Sequence, residues 1–239
     1  MSHSEQLQSA FVLHARPWRE TSLIIDFFTE NYGKIALIAK GVRSKKSLKR
    51  SILQPLSPLL ICWKGRGELP TLTQVDIASP AIKLSSDALY SSFYINELLV
   101  RLLHRYDAHP ELFSQYNQTL HQLANIDSLE INLREFELQL LSSIGYGLTL
   151  DYDFDDQPID ETEYYLLNHD GMFQKAMANS VTEDSKNIRL FLGRQLISIM
   201  TKNWHHTEVL KDAKRLLRLS IQPLLGDRPL QSRRLFSGH

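Results

Sequence analysis

The sequence is poor in cysteine and has no long apolar stretch. Its single cysteine, Cys62, excludes an intramolecular disulfide and any zinc or iron–sulfur site built from several cysteines. The first 18 residues are polar and lack the apolar core of a secretory signal. The longest apolar runs, residues 56–63 and 98–103, are too short to span a membrane. We therefore expect a cytoplasmic protein without a membrane partner.

Common catalytic motifs are also missing. The sequence contains no Gly-x-Ser-x-Gly elbow, Walker loop, His-Glu-x-x-His helix or Cys-x-x-Cys pair. Asp151, Asp153 and Asp155 resemble the start of a calcium loop, but Asp156 stands where that loop needs glycine and Thr162 where it needs glutamate. These features predict a binding protein, not an enzyme, with no metal and no cofactor.

The chain of 239 residues has no net charge, since 27 basic residues balance 27 acidic ones. The charges are nevertheless segregated: residues 1–80 carry a net charge of +5 and residues 188–239 of +7, whereas residues 81–150 carry −4 and residues 151–187 carry −8. Basic ends around an acidic middle indicate a polyanionic partner. A solvated surface with no partner is the alternative interpretation of the same charges.

The first 80 residues predict a small closed β-barrel. Alternating or β-branched runs at residues 10–15, 21–28, 34–40, 59–63 and 71–77 are typical of short strands, and Gly33 and Gly65 lie in the turns between them. Five such strands in about seventy residues favour an OB-fold. We expect an OB-fold nucleic-acid-binding domain over residues 1–80.

After Pro80 the pattern becomes helical. Apolar residues at helical spacing predict helices over residues 87–106, 110–124, 129–144, 188–204 and 208–225. Residues 149–186 interrupt them with an acidic loop and a β-hairpin that turns at Asp170-Gly171. The fold class is therefore α+β, with an OB-fold barrel followed by a helical domain over residues 81–239 that carries a small hairpin insertion.

Two basic elements are the strongest signals of function. Residues 40–50 carry six cations and no acid, and a flexible loop of this kind can hold a nucleic-acid backbone. The aromatic residues nearby are Trp18, Phe28, Tyr32 and Trp63; Trp18 has basic neighbours suited to an exposed stacking residue, whereas Phe28 is better interpreted as a core residue.

The second element is one face of the last helix, where cations recur at spacings of three, four and seven residues. The alternative for this face is plain solvation, and in either case we expect its substitution to leave stability unchanged. The candidate nucleic-acid-binding residues are Arg16, Trp18, Arg19, Lys34, Lys40, Arg43, Lys45, Lys46, Lys49, Arg50, Lys64 and Arg66 in the barrel, and Lys211, Lys214, Arg215 and Arg218 in the last helix.

A set of segments along the chain carries a family resemblance. In the first 80 residues they are AFVLHARPWRETSLIIDFFTENYGKIALIAKGVRSKKS at residues 10–47, LQPLSP at 53–58 and WKGRGE at 63–68. Further along they are YINEL at 94–98, REFEL at 134–138, GYG at 145–147, GRQL at 193–196 and LQSRRLF at 230–236. In these segments, and in their order over nearly the whole chain, the sequence resembles the RecO family of bacterial DNA-repair and recombination mediators.

The resemblance implies binding of single- and double-stranded DNA, annealing of complementary strands, and help in loading RecA onto DNA coated by single-strand-binding protein (SSB). It implies RecR and the SSB carboxy-terminal tail as protein partners and a nucleoid-associated location. Many family members carry a four-cysteine zinc module after the position of Gly147. This chain has no cysteine there and resembles the zinc-free branch.

The resemblance also implies that the SSB tail is acidic with an apolar end, so its receptor needs a cation beside apolar side chains. The acidic segment 81–150 offers four cations: Lys83, Arg101, Arg105 and Arg134. Arg134, in REFEL on an amphipathic helix, is the first candidate; its alternatives are an intrahelical ion pair with Glu130 or Glu137, or solvation. For the whole chain the alternative function is an OB-fold RNA-binding protein or a general protein-interaction module.

Overall fold

In a computed structural model of the chain, two compact units are present. The structure describes residues 4–44, 46–65, 67–168, 170–176 and 189–237. The first unit contains the residues up to Ile126 together with those from Pro229 onwards, and the second runs Asp127–Arg228. The sequence-based division at residue 80 concerns folding domains and stays a prediction.

The first unit contains a closed five-stranded barrel. Its strands are β1 (Ser4–Trp18), β2 (Ser22–Thr29), β3 (Gly33–Ala39), β4 (Leu59–Lys64) and β5 (Thr71–Ile77), in the order β1-β2-β3-β5-β4. All neighbouring strands are antiparallel except β3 and β5. A one-turn helix, α1 (Lys49–Ile52), lies between β3 and β4. The predicted OB-like barrel is confirmed.

Alternation along the strands fills the barrel interior. Ile25, Phe27, Ile35 and Leu37 are fully buried in one cluster with Trp63. The neighbours of these residues along β2 and β3 point to the outer face, because successive side chains on a strand face opposite sides. The interior therefore takes the β-branched and aromatic residues that made these segments recognisable as strands.

A β-bulge at Leu13 changes the phase of β1. Phe11 pairs with Phe28 before the bulge, and His14 pairs with Asp26 after it. Because directly opposed residues share a face of the sheet, the extra residue places His14 on the same outer face as Phe11.

Two helices, α2 (Ser86–Leu102) and α3 (Pro110–Gln122), complete the first unit. The rings of Phe11 and Phe28 pack against those of Phe113 and Tyr116 at centroid distances of 5.0–5.9 Å. The Tyr116 hydroxyl donates to Asn96 Oδ1 at 2.6 Å, and burial raises the pKa of that phenol. One half of the outer face of β1 and β2 is thus covered by α3.

The carboxy-terminal residues of the first unit are held by Glu97 on α2. Its carboxylate accepts bonds from the backbone N–H groups of Gln231 and Ser232, both at 2.8 Å, and from the Ser232 hydroxyl at 2.7 Å. Burial would raise the pKa of Glu97, but these bonds outweigh it and the pKa is lowered. A 3₁₀ helix (Ser232–Ser237) follows directly from this contact.

The second unit combines helices with a small sheet. Its helices are α4 (Leu129–Ser143), α5 (Gly193–Met200) and α6 (Thr207–Leu225), preceded by a 3₁₀ turn (Ile126–Ser128). The strands are β6 (Tyr164–Leu167), β7 (Phe173–Lys175) and β8 (Leu190–Leu192), in the order β7-β6-β8. The predicted hairpin is present as β6 and β7, and the α+β class is confirmed.

The prediction of a helix over residues 188–204 is wrong at its start. Residue 188 lies outside the described residues, and Leu190–Leu192 form β8, which pairs with β6; the helix α5 begins only at Gly193. Leu190 and Phe191 are buried, and a short buried apolar run has no periodicity that separates strand from helix. The predicted helix over residues 87–106 also ends early: it stops at Leu102, Leu103 is extended, and Tyr106 N–H bonds to the Lys34 carbonyl of β3 at 3.1 Å.

The geometry of the turn between β2 and β3 predicts that replacing Gly33 strongly destabilises the fold. This residue has φ +62°, and a Cβ there would lie 1.7 Å from the backbone oxygen of Asp107. We expect Gly33→Ala to lower the free energy of unfolding by about 3 kcal/mol or more, because a clash with backbone adds to the cost of a left-handed alanine. Urea unfolding of both proteins measures the difference.

Gly41→Ala is the matched control, since Gly41 has φ +73° but a Cβ there would meet no other atom within 4 Å. It should cost about 1 kcal/mol, which is the cost of the left-handed backbone alone. Equal losses of unfolding free energy in the two variants would mean that the backbone at Asp107 can move away from a Cβ at position 33 without destabilising the fold.

Candidate nucleic-acid interface

Beyond the part that α3 covers, the outer face of β1, β2 and β3 carries polar side chains beside apolar ones. Along β1 it presents His14, Arg16 and Trp18, which lie opposite Asp26, Ile24 and Ser22 of β2. Along β3 the same face carries Lys34, and Lys40 follows the strand directly. This is the face, with its bordering loops, through which OB-folds hold single strands.

Arg43 joins the β1–β2 turn to the basic segment after β3. Its backbone N–H donates to the Thr21 carbonyl at 2.8 Å, and its Nη1 donates to the Arg19 carbonyl at 3.2 Å. These bonds bring Lys40 and Arg43 beside Trp18 and Arg19. Arg43 therefore organises this surface, a role that its sequence position did not indicate.

Trp18 is suited to stack on a base. Its side chain is 37% exposed, and the Arg19 guanidinium lies 5.9 Å from the centroid of its ring. Phe28 and Trp63 are buried, and half-buried Tyr32 packs edge-on against Trp63 at 5.0 Å. The interpretation of Phe28 as a core residue agrees with the structure, and Trp18 is the exposed member of the four aromatic candidates.

The basic segment after β3 is partly ordered by local structure. Lys40, Arg43, Lys46 and Arg50 are exposed, whereas Lys49 is half-buried at the start of α1. Lys45 lies outside the described residues. The segment was predicted as a flexible loop, but bonds between Ser44 and Gly41 and between Ser47 and Ser44 fold it into turns.

The loop between β4 and β5 borders the same strands. Lys64 is exposed and pairs with Thr71, which in turn lies opposite Ile38 of β3. Ile38 N–H also donates to the Pro70 carbonyl at 2.8 Å. Lys64 is therefore on β4, which is separated from β3 by β5. Arg66 lies outside the described residues.

Lys34 is held away from this group. Its Nζ donates to the Val100 carbonyl near the end of α2, and burial lowers the pKa of the ammonium, an effect that Arg105 reinforces and Asp26 opposes. Six residues of strand, about 20 Å, separate Lys34 from Lys40. The structure gives Lys34 a contact between strand and helix in place of the exposed position expected for a phosphate ligand.

The basic face of α6 lies in the second unit and is largely paired. Lys211 contacts Glu208 at 2.9 Å and Lys214 contacts Glu130 at 3.2 Å, both on the surface. Arg215 bonds to Asp212 at 2.6 Å and to the Leu190 carbonyl at 2.8 Å, and its guanidinium lies 4.0 Å above the Phe191 ring. The expectation of a fully solvated face is wrong at Arg215 because this side chain packs on the β8 strand.

Arg134 is buried on α4. Its Nε lies 3.3 Å from Glu137 Oε2, and the two side chains are only 9% and 2% exposed. This is the intrahelical pair that the sequence offered as the alternative. A role as receptor for the SSB tail stays a prediction, and it would require the pair to open.

Other kinds of site would be a bound metal ion, a membrane-spanning helix or a reactive cysteine. In the part of the chain that the structure describes, no three His, Cys, Asp or Glu side chains are grouped closely enough to hold a metal ion. Among the same residues no helix is both long and apolar enough to cross a membrane. Cys62 is buried, and burial together with Asp76 raises the pKa of its thiol, which is unfavourable for a nucleophile.

Sequence reasoning missed Asp26 as part of this surface. Its carboxylate is 6% exposed and lies 3.3 Å from Arg16 Nη1 and 3.7 Å from His14 Nδ1. Burial would raise the pKa of Asp26, but the contacts with His14 and Arg16 and the charge of Arg105 outweigh it and lower the pKa. A lone acid inside the apolar run TSLIIDFF was the available signal.

Comparison with known proteins covers both units. Residues 1–81 match the family model "Recombination protein O N terminal", and residues 84–234 match "Recombination protein O C terminal". The DNA repair protein RecO of Glaesserella parasuis serovar 5 is 41% identical over 239 residues, which is 97% of this chain and 95% of that protein. Those of Cellvibrio japonicus and Shigella boydii serotype 18 are 42% and 43% identical over 97% of this chain, and 96% and 94% of their own lengths are covered.

The lowered pKa of Asp26 predicts how its contribution to stability depends on pH. A carboxyl whose pKa is lower in the folded state stabilises the fold above its unfolded pKa, and this stability is lost as the pH falls through the folded pKa. Asp26→Asn should lower the free energy of unfolding by about 1.5–3 kcal/mol near pH 7. The difference from the parent should shrink below about pH 4. Denaturant unfolding at pH 7, 5 and 3.5 measures it, and a difference that grows towards acid would contradict the sign.

The packing of Arg215 predicts that two neighbouring cations differ in their effect on stability. Arg215→Gln should lower the free energy of unfolding by about 1–3 kcal/mol, because it removes two charge-assisted bonds and the contact with Phe191. Lys214→Gln, the control on the same helix, should cost less than about 1 kcal/mol because its pair with Glu130 is exposed. Thermal and urea unfolding of the two variants measure these losses of stability. Equal losses would mean that Arg215 is only solvated.

Proposed function

This chain belongs to the RecO family of DNA repair proteins, and on that premise we propose that it binds single- and double-stranded DNA through its barrel and anneals complementary strands. The annealing would serve recombination, in which the protein helps to load RecA onto DNA coated by SSB. The role is that of a binding protein, since the chemistry lies in DNA pairing and needs no reacting side chain.

The observation that carries the proposal is that Arg43 joins the β1–β2 turn, next to Trp18 and Arg19, to the basic segment after β3. Its bonds to Arg19 and Thr21 place an exposed aromatic ring and exposed cations together at one edge of the barrel. Base stacking on an aromatic side chain is worth about 1–3 kcal/mol per base and tolerates any sequence. Phosphate contacts from lysine and arginine add affinity that is equally independent of sequence. Both properties suit a protein that must pair arbitrary complementary strands.

The second unit supplies further parts of the proposal. Lys211, Lys214 and Arg218 are exposed on α6 and would widen the contact with duplex DNA, although acids partner the first two. The family resemblance adds RecR and the SSB tail as protein partners, with Arg134 as the candidate for the tail.

Removal of the exposed cations after β3 tests the proposal. If four or five phosphates are engaged, log K against log [salt] for a single strand should have a slope of roughly −3, from about 0.7 per phosphate. Lys40→Gln/Lys46→Gln/Arg50→Gln should flatten this slope by about 2 and slow annealing of SSB-coated complementary oligonucleotides. Fluorescence anisotropy at several salt concentrations and an annealing time course measure the two effects.

Arg194→Gln/Lys202→Gln/Arg228→Gln is the control, because it removes the same charge from exposed positions of the second unit. It should bind and anneal as the parent does. A parent protein that fails to bind or anneal DNA, or a barrel variant with an unchanged slope, overturns the proposal. Preference for RNA over DNA of the same sequence would instead favour an RNA-binding function.

A further inference from the structure

A group of cations surrounds the buried carboxylate of Asp26, on the same outer face as Trp18 but nearer to α2. His14 and Arg16 reach it from β1 at 3.7 Å and 3.3 Å. Arg105 belongs to the segment after α2 and pairs with Lys34 as a backbone bridge along β3. The charge of Arg105 acts on both Asp26 and Lys34.

The cluster carries an excess of positive charge. Arg16, Lys34 and Arg105 bring three formal positive charges against the single carboxylate of Asp26, before any contribution from His14. Asp26 is almost fully buried, whereas the side chains of His14 and Arg16 are 55% and 46% exposed and Arg105 is exposed. The carboxylate is therefore buried while Arg16 and Arg105 face solvent, and Lys34 is half-buried with its ammonium on the Val100 carbonyl.

Asp26 also fixes the direction of its neighbours. One of the five N–H donors of Arg16 is held by the carboxylate, so the remaining fork points away from it and is ordered before a ligand arrives. A guanidinium fixed in this way suits the two oxygens of a phosphodiester, which accept parallel hydrogen bonds from the fork.

With Asp107 counted beside Asp26, the three formal positive charges of Arg16, Lys34 and Arg105 still exceed the two negative ones by one. Asp107 lies beside Gly33 and is 3.2 Å from His109, to which it is paired. Between the two ends of the face lie Ile24, Ala36 and Ile38, which carry no charge. Ile24 and Ala36 are buried, so a polyanion laid along β1 would contact the exposed side chains of His14, Arg16 and Trp18.

We propose that His14, Arg16 and Arg105 form a second phosphate-binding subsite for the DNA backbone, with Asp26 as its positioning residue. Along β1, His14 lies four residues, about 13 Å, from the Trp18 stacking position, and Arg16 lies two residues, about 7 Å, from it. This inference rests on the proposed function and extends it. It gives one bound strand a path across the barrel, from Lys40 and Trp18 towards the end of α2.

Arg105→Gln tests the subsite, since Arg105 is exposed and outside the barrel strands. Binding of a fluorescein-labelled dT oligonucleotide should weaken by about two- to fivefold at low salt. The slope of log K against log [salt] should flatten by about 0.7, the value of one phosphate on a single strand. His14→Gln/Arg105→Gln should weaken binding further, with circular dichroism and the melting temperature used to verify the fold.

Arg194→Gln is the matched control, because it removes one exposed guanidinium from the second unit. It should leave affinity and slope as in the parent. A parent that binds while Arg105→Gln and the double variant keep its affinity and slope removes the subsite and leaves the proposed function intact. A parent that does not bind DNA overturns both.

Discussion

The single extra residue at Leu13 decides what the outer face of the barrel can do. Before the bulge, β1 turns Phe11 outward to pack with Phe28 against α3; after it, the same face carries His14, Arg16 and Trp18. Without the insertion, the alternation of the strand would send these three side chains to the opposite face. The bulge is fixed from the helical side, since the Asn96 amide donates to the Leu13 carbonyl at 3.4 Å and Asn96 is itself held by Tyr116. Helix packing and the polar face are therefore two consequences of one register.

A positive charge does not by itself indicate a contact with nucleic acid in this molecule. Arg134 is buried against Glu137, Lys34 bonds to a helix carbonyl and Arg215 lies on an aromatic ring, and each of these side chains serves its own unit. The exposed cations around the β1–β2 turn and after β3 are of another kind, because they lie on the surface beside Trp18. The burial and the partners of each side chain therefore separate structural cations from candidate DNA ligands better than the distribution of charge along the sequence does.

The sequence predicted the elements better than the site. Strands β2 to β5 and helices α3, α4 and α6 follow from alternation, helical spacing and glycine or proline at their ends, which are local properties. The strand β8 was missed because Leu190–Leu192 is too short to show a period and is a strand only through its pairing with β6. The site was predicted as far as a basic barrel loop with Trp18 nearby. The roles of Arg43, Asp26 and Arg105 could not be predicted, because each depends on a partner brought near by folding: the β1–β2 turn for Arg43, β1 for Asp26, and β3 for Arg105.

The carboxy-terminal residues also owe their place in the fold to contacts that are distant in sequence. Residues 229–237 follow α6 in sequence, yet they belong to the first unit, where Glu97 binds the start of their 3₁₀ helix. The first unit is consequently discontinuous and is complete only after the second has been synthesised. Glu97 and Ser232 both belong to the first unit, and the hydrogen bonds between them stabilise the Glu97 carboxylate as an anion, which lowers its pKa. Because α2 also supplies Val100, the acceptor for Lys34, the same helix connects the chain end to the strands that carry the polar face. One helix thus contacts β3 and, through Glu97, residues more than 130 positions further along the chain, an arrangement that inspection of the barrel segment alone could not reveal.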